Sequence, residues 1–573
     1  MKNRFKLAPL AAAAVVAAAP MAALAFDTIE LGDGVALDAR LNLNYTIGQR
    51  IKKQDPVLLG IAGKNDGDGN FKKNALTTNR LAALLEAKLS KGDTGLVFSA
   101  SSFYDDVYRK TNDNDPAANN PGKVNKPPPY NEFTDEARRY HGGYSRILDG
   151  YGYTSFDLGD SSRATLRLGR QAVNWGEAMY YPNIAQAQGP FDGTKTGIPG
   201  TETKDAVLTE DQLSAAIQVN PNWSLLGQVQ FGFHETITSA PGAYLSNSDA
   251  VGPGAVCLGP WTSIPAIPGL FSGFTGCSFG LRGDDIRPKN VGQWGIGTRV
   301  RVTEATELGL YYLHFNDRTP LTVINSFTPG TAIPAPLQPA FGGIKQIGNG
   351  SYRIRYFDHV NMLAATASTS LGMASVAAEY SYRKGAPVLV NTVVDPTSGA
   401  TIPNPTRADI SIASVNAMVN LGRTAIAPMT TLIAELAGSY VHKAEAIKAP
   451  GVETLPAAFA GAFPASNDLY FQTRSALAYT VQGVLSYPGV VENVDLTIPI
   501  SFAHQLKGRA MVGPTTGGEG DKRVSIGATV VYGGNASLNL TYLGFLGGSN
   551  LVPKTERLLT DRDQISLNFK YSF

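Results

Sequence analysis

The chain has 573 residues, 43% of them hydrophobic and 17% charged, with 61 glycines, 24 tyrosines, 24 phenylalanines and two cysteines. A formal net charge of +2 excludes the basic surface that nucleic acid needs. Beyond the first residues no run of about 18 apolar residues occurs, which excludes a transmembrane helix, so a chain that enters a membrane must do so as a closed β-barrel.

Taken in order, Lys2, Arg4 and Lys6 precede an apolar Ala/Val/Leu/Pro run, and Ala23-Leu-Ala25 offers a small-x-small cleavage site. This reads as a signal peptide over residues 1–25, leaving 26–573 as one domain. The leader takes three of the 49 basic residues and none of the 47 acidic ones, so the mature chain carries −1. Val35, Leu37, Ala39, Leu41, Leu43, Tyr45 and Ile47 then alternate with polar residues, giving one lipid-suited and one water-suited face. Further strands are predicted near 79–90, 94–105, 150–158, 163–173, 211–220, 223–233, 291–302, 306–316, 357–371, 373–383, 409–420, 429–441, 474–487, 491–503, 523–532, 535–545 and 563–573. Short turns follow every even-numbered strand and long segments every odd-numbered one, as in an antiparallel barrel with short periplasmic turns and long outer loops. The count is eighteen, or sixteen if 150–158 and 409–420 belong to loops. In the last strand Ile565, Leu567, Phe569, Tyr571 and Phe573 share a face. Phe569, Tyr571 and Phe573 resemble the C-terminal signal by which outer-membrane assembly machinery recognises its clients; the alternative is an edge strand of a soluble domain.

A barrel of this size encloses a wide lumen that something must narrow. Two segments are candidates: 131–149, which begins like a capped helix, and 174–209, too long for a simple hairpin loop. Arg170, Asn174, Trp175 and Glu177 form the candidate constriction where the fifth strand ends, with a bulge expected at Gly169. The alternative makes Trp175 an interfacial aromatic and Glu177 the ion-pair partner of Arg170. Asp38, Arg40, Arg80, Glu86, Arg167, Arg299, Arg301, Glu379, Glu435 and Arg523 are predicted to face the lumen, as a mixed-sign lining held by wall salt bridges. Cys257 and Cys277 are expected to form a structural disulfide. They lie in the uncharged segment 250–281, where Trp261, Phe271, Phe274 and Phe279 suggest a hydrophobic capture loop, unless they simply pack on neighbouring loops.

Other signals are weaker. Gly276-Cys-Ser-Phe-Gly280 matches a nucleophile elbow without the strand-to-helix setting it needs. Asp66, Asp68 and Asn70 echo a calcium loop, but Phe71 and Thr77 stand where Gly and Glu are required. No metal or cofactor is expected. Of the six histidines, His314 and His504 are the ones considered for a lipid hydrolase or acyltransferase.

The block Leu166-Arg-Leu-Gly-Arg-Gln-Ala-Val-Asn-Trp-Gly-Glu177 resembles an uncharacterised family of Gram-negative outer-membrane barrels. So do Asn65-Asp-Gly-Asp-Gly-Asn70, Phe103-Tyr-Asp105, Gly309-Leu-Tyr-Tyr312, Gly385-Ala-Pro387 and Leu559-Thr-Asp-Arg-Asp563. The resemblance implies a barrel in the outer membrane, often accompanied by a periplasmic carrier and an inner-membrane transporter for fatty, steroidal or aromatic compounds. It also implies a distant likeness to long-chain fatty-acid channels, without their N-terminal plug. The expectation is a non-enzymatic channel for a hydrophobic or amphipathic small molecule, with outer-membrane lipid around it. The alternatives are a lipid hydrolase and a non-conducting receptor.

Overall fold

Alternating faces and complete backbone pairing leave one solution, a sheet closed on itself. In a computed structural model describing residues 28–115, 124–328, 330–341, 345–513 and 517–573, eighteen antiparallel strands close into a barrel. The strands are β1 (Val35–Arg50), β2 (Leu76–Lys91), β3 (Thr94–Asp105), β4 (Ser145–Gly159), β5 (Ser162–Gln171) and β6 (Glu210–Asn220). They continue as β7 (Trp223–Gln230), β8 (Gln293–Arg301), β9 (Thr306–Phe315), β10 (Val360–Leu371), β11 (Ala374–Asp395) and β12 (Ala400–Gly422). The last six are β13 (Met429–Ala444), β14 (Ser475–Val491), β15 (Val494–Lys507), β16 (Lys522–Tyr532), β17 (Ala536–Leu546) and β18 (Gln564–Ser572). Each pairs with its neighbour, and β1 closes on β18 from Asn42↔Ser572 to Arg50↔Gln564. The segment 1–25, expected as a signal peptide, falls outside the described residues.

The two weakest predicted strands are present as β4 and β12, so the number is eighteen. Side chains follow the period-two rule: on β18, Ile565, Leu567 and Phe569 are exposed to the lipid side while Gln564, Ser566 and Asn568 are buried inside. The segment 384–408, expected as a loop, is instead an extension of β11 and β12, paired up to Asp395↔Ala400. Gly385, with φ of 80°, makes a bulge there and lets the hairpin continue past the membrane. Proline at 387, 403 and 405 hides it from pattern reading, because proline removes a ladder donor.

The long outer connections build a layer of their own. Strands Leu321–Asn325, Gly350–Arg355, Gly280–Arg282 and Cys257–Leu258 form a small sheet, beside a hairpin of Trp261–Ile264 and Phe274–Cys277. The helix Asp135–Tyr140, capped by Thr134, packs Ala137 with Phe71, Tyr108, Phe133 and Tyr244 in this layer. It is therefore part of the outer loops, and the segment between β5 and β6 is the one that enters the barrel.

Candidate constriction site

The segment 172–209 leaves β5, crosses the lumen and returns to β6, and polar groups of the wall fasten it on both sides. Glu379 on β11 accepts hydrogen bonds from the backbone N–H of Glu177 at 2.7 Å, Ala178 at 3.3 Å and Ile184 at 2.6 Å. Glu435 on β13 accepts from Met179 at 2.9 Å and Tyr180 at 2.5 Å. Arg383 donates to the Asn183 carbonyl at 2.8 Å and Asn416 to the Glu177 carbonyl at 2.7 Å. Tyr180 reaches Gln482 and Tyr181 reaches Thr480 on β14. The far half of the segment is tied to the opposite wall: Asp192 by Tyr144 and Arg146, Lys204 by Glu86 and Asp149, and Glu202 by Lys570.

The crossing lies near mid-strand. Arg299, Gly309, Thr366, Glu379, Ser414 and Ala437 are successive cross-strand partners on β8 to β13. Trp175 stacks on Tyr311, ring centroids 5.7 Å apart, above a floor cleared by Gly295, where a Cβ would lie 3.0 Å from the indole. Gly176 is required by closeness, since a Cβ there would lie 2.7 Å from the Glu379 carboxylate. Above this level the inner faces of β9, β10 and β12 are apolar, while β11 adds Ser381 and Arg383, both bonded to Asn183. Leu313, Phe315, Met362, Ile410 and Ile412 pack with Trp175, Ile184 and Ala187, so this wall is greasy on both sides.

The predicted residues are distributed as follows. Trp175 and Glu177 belong to the crossing segment. Asn174 bonds the Gly176 N–H at 2.9 Å and holds the turn. Arg170 does not join them. It pairs with Asp211 at 2.8 Å, and its cross-strand partner shares the lipid-side face with Leu168 and Leu213. The physical reason is that no bulge interrupts the ladder: Gly169 has φ of 126° but keeps its pairings with Tyr151 and Gln212, so alternation continues and sends Arg170 outward. The expected Arg170–Glu177 pair is thus absent.

Asp38, Arg40, Glu86, Arg167, Arg299, Arg301 and Arg523 line the inner face at the registers expected of them. Arg299 bonds the Tyr311 hydroxyl and the Trp175 carbonyl, with Glu307 at 3.7 Å. Arg80 lies over the Phe103 ring at 4.0 Å, and Lys195 of the crossing segment lies over it at 3.7 Å. Glu379 and Glu435, expected in wall salt bridges, instead bind backbone N–H groups. Sequence patterning places a carboxylate on the inner face but does not show what it grips.

In the outer layer Cys257 and Cys277 are bonded, S–S 2.01 Å. Phe271 is buried, Trp261 and Phe274 are half-buried, and Phe279 is 57% exposed. Three of the four aromatics therefore hold the hairpin together, and the exposed apolar surface of the segment comes from Ile267, Leu270, Phe279 and Leu281. Ser278 is followed by a strand rather than a helix, which removes the nucleophile-elbow setting. His314 bonds Asn361 and His359, and His504 packs with Tyr479 and Phe502. Both lie on the lipid-side face near the outer rim, and neither contacts a serine among the described residues.

The two aspartate-rich motifs meet over the β1–β18 seam. Asp68 contacts Arg50 at 2.7 Å and Arg562 at 3.2 Å, and Asp561 contacts the same two arginines at 2.8 and 3.3 Å. The calcium-like loop is thus an arginine-binding turn. Nearby, Asp249 accepts the N–H groups of Asn65 and Asp66 at 2.9 and 3.2 Å. Burial pushes its carboxyl from 3.8 up to about 6, outweighing those two hydrogen bonds. Because the folded value lies above the unfolded one, the folded state holds a proton that the unfolded state releases between about pH 4 and 6. Loop stability therefore rises as pH falls through that window. Hydrogen-exchange protection of residues 63–66, corrected for intrinsic rates, is expected to be higher at pH 5 than at pH 7.5, and Asp249→Asn is expected to reduce the difference, leaving the part due to Asp68, whose carboxyl burial also raises to about 6.

A transmembrane barrel of eighteen antiparallel strands, narrowed by an inward-folded segment, is the class defined by this architecture. The chain belongs to the family described as protein of unknown function DUF1302, whose model matches residues 6–573. No curated protein matches the sequence. Similar solved structures include Acinetobacter baumannii OccAB1, at 9% identity and TM-score 0.42, covering 94% of this chain and 96% of that one. Pseudomonas aeruginosa OccK9 (OpdG) matches at 11% identity and TM-score 0.40, and a BenF-like porin from Pseudomonas fluorescens Pf-5 at 9% and 0.40; each covers 94% of this chain and 98% of the other.

Proposed function

We propose that this barrel is a channel that passes a hydrophobic or amphipathic small molecule across the outer membrane without chemical change. The observation that carries this reading is the character of the gap beside the crossing segment. Met179 is 48% exposed although it sits inside the barrel, which puts its thioether on the open lumen. Its neighbour Tyr180 reaches Gln482. Beyond Gln482, the inner faces of β14 to β17 carry Ser501, Ser525, Thr529, Asn539 and Thr541, with no charge between Arg523 toward the outer rim and Asp495 at the periplasmic end. A methionine and a tyrosine facing hydroxyls and amides suit a solute with one greasy and one neutral polar side. A charged solute would lose hydration there without gaining a partner. Exposed Phe279 and Leu281 above, and a periplasmic carrier below, would complete the route.

The test is entry of solutes into liposomes containing the refolded barrel, comparing arabinose with a fluorescent long-chain fatty acid. Faster entry of the amphiphile than into empty liposomes supports the reading, and entry of the sugar alone overturns it. Met179→Arg is expected to slow the amphiphile by ~tenfold, the cost of a hydrated charge where the solute's apolar side must pass, while changing potassium conductance less than about twofold.

A further inference from the structure

The lipid-side surface of β9 to β13 is layered in a way that pure bilayer solvation does not require. The strand registers give its rows. At the outer rim Asn361, Lys384, Asp409 and Lys443 are successive cross-strand partners on β10 to β13. One row inward stand Tyr312, Leu363, Tyr382, Ser411 and Tyr440. The next two rows are small at half of their ten positions, Ala365, Ala413 and Gly438, then Ala367 and Ala378, beside Leu308, Leu310, Tyr380, Val415 and Leu436.

Two cavities follow from this layering. At the rim a pocket of about 410 Å³ is lined by Lys384, Lys443, Arg407, His359, Asp409 and Glu445, among others. Below the aromatic row, the missing side-chain volume leaves an apolar groove of about 640 Å³ on Ala365, Ala367, Ala378 and Ala413 between Leu308, Leu310 and Tyr380. Along the strand from Lys384 to Ala378 is ~20 Å, the reach from a lipid headgroup well into its chains. In the pocket Arg407 is taken by Asp358 at 2.5 Å, and Asp409 is approached by the Tyr382 hydroxyl. Lys384 and Lys443 form no ion pair among the described residues, and they stand two strands apart, ~10 Å. Between pocket and groove, Ser411 bonds His442 Nε2 at 2.7 Å and the Tyr380 hydroxyl at 2.9 Å, a polar pair at the depth of acyl esters.

We infer that this face binds one molecule of a phosphorylated, multiply acylated lipid of the outward-facing leaflet, with phosphate at Lys384 and Lys443 and an acyl chain in the alanine groove. Ammonium groups without carboxylate partners supply the charge match, and the groove supplies the length and width of a chain. The site lies outside the barrel and is independent of what passes through the lumen.

Native mass spectrometry of the full barrel in detergent would test it, with bisphosphorylated lipid A, the same lipid dephosphorylated, and inorganic phosphate as probes. One retained lipid A is expected, weakened ~tenfold or more by dephosphorylation, by Lys384→Glu with Lys443→Glu, and separately by Ala365→Leu with Ala378→Leu, while inorganic phosphate alone is not retained. Equal retention of the phosphorylated and dephosphorylated lipids would overturn the assignment. So would retention unchanged in either double variant, or a multimer that the leucine variant dissociates, which would make the groove an interface between copies. Heat-modifiable migration of each variant as a folded barrel separates loss of the site from loss of the fold.

Discussion

Replacing Glu379 and Glu435 together by alanine is expected to raise the single-channel conductance of the reconstituted barrel about two- to fivefold, with frequent switching between levels, as a constriction loses its anchors. Five backbone N–H groups of the crossing segment, from Glu177 to Ile184, end on these two carboxylates. Charge-assisted bonds of this kind contribute roughly 1.5–3 kcal/mol each to the contact, and the donors left behind sit away from water. Glu379 is 2% exposed and Glu435 2% exposed, so neither carboxylate keeps its hydration as compensation. The segment would retain its seat on Tyr311 through Trp175 and its ties to the opposite wall through Asp192 and Lys204, so the barrel itself remains closed. Planar bilayer recordings of the double variant and of Glu379→Gln distinguish the roles. The glutamine keeps one acceptor oxygen and is expected to lie between the wild type and the double alanine variant. A conductance that does not change in either variant would mean that the segment's other contacts, among them Arg383 and Asn416 on its carbonyls and Trp175 on Tyr311, suffice to hold it.

The same residues show how far the sequence could be read. Alternation gave the strands and the inner face because the outward rows must be apolar and the inward rows wet over most of the wall. It placed Glu379 and Glu435 inside. It did not reveal their partners, because a backbone N–H carries no sequence signature. Arg170 was misdirected by a single glycine: Gly169 inside a strand pattern reads as a bulge, yet with its positive φ the ladder runs through it unshifted. The apolar inner faces of β9 and β10 escaped for a different reason. Leu313 and Met362 point inward beside outward Leu310 and Leu363, and a strand that is apolar on both faces has no period to detect. The length of the segment 174–209 was the one visible sign that something must pack there. The lipid-side rows of small residues are invisible until the register aligns five strands.

Arg562→Met is expected to cost about 3–5 kcal/mol in the stability of the outer loop layer, the typical penalty for breaking a buried ion pair from one side. Arg562 is 1% exposed and lies between Asp68 and Asp561, and it also donates to the Tyr244 carbonyl. Arg50, fully buried, contacts the same two carboxylates and the carbonyl of Phe71 at 2.7 Å. Two guanidinium groups thus balance two carboxylates in a dry site that joins the loops following β1, β7 and β17. Removing one cation leaves two enclosed negative charges on a single arginine, and the cheapest relief is for the loops to part and admit water. Limited proteolysis should show new cleavage within residues 51–75 while the strands remain protected. The double variant Arg562→Met with Asp68→Asn restores neutrality, so it is expected to be more stable than Arg562→Met alone despite carrying the additional change. If the double variant instead loses as much as the sum of its parts, the network acts through shape and hydrogen bonding rather than charge balance. In that case the seam between β1 and β18 would be held by packing around Phe71 and Tyr244, whose rings lie 5.3 Å apart edge to face.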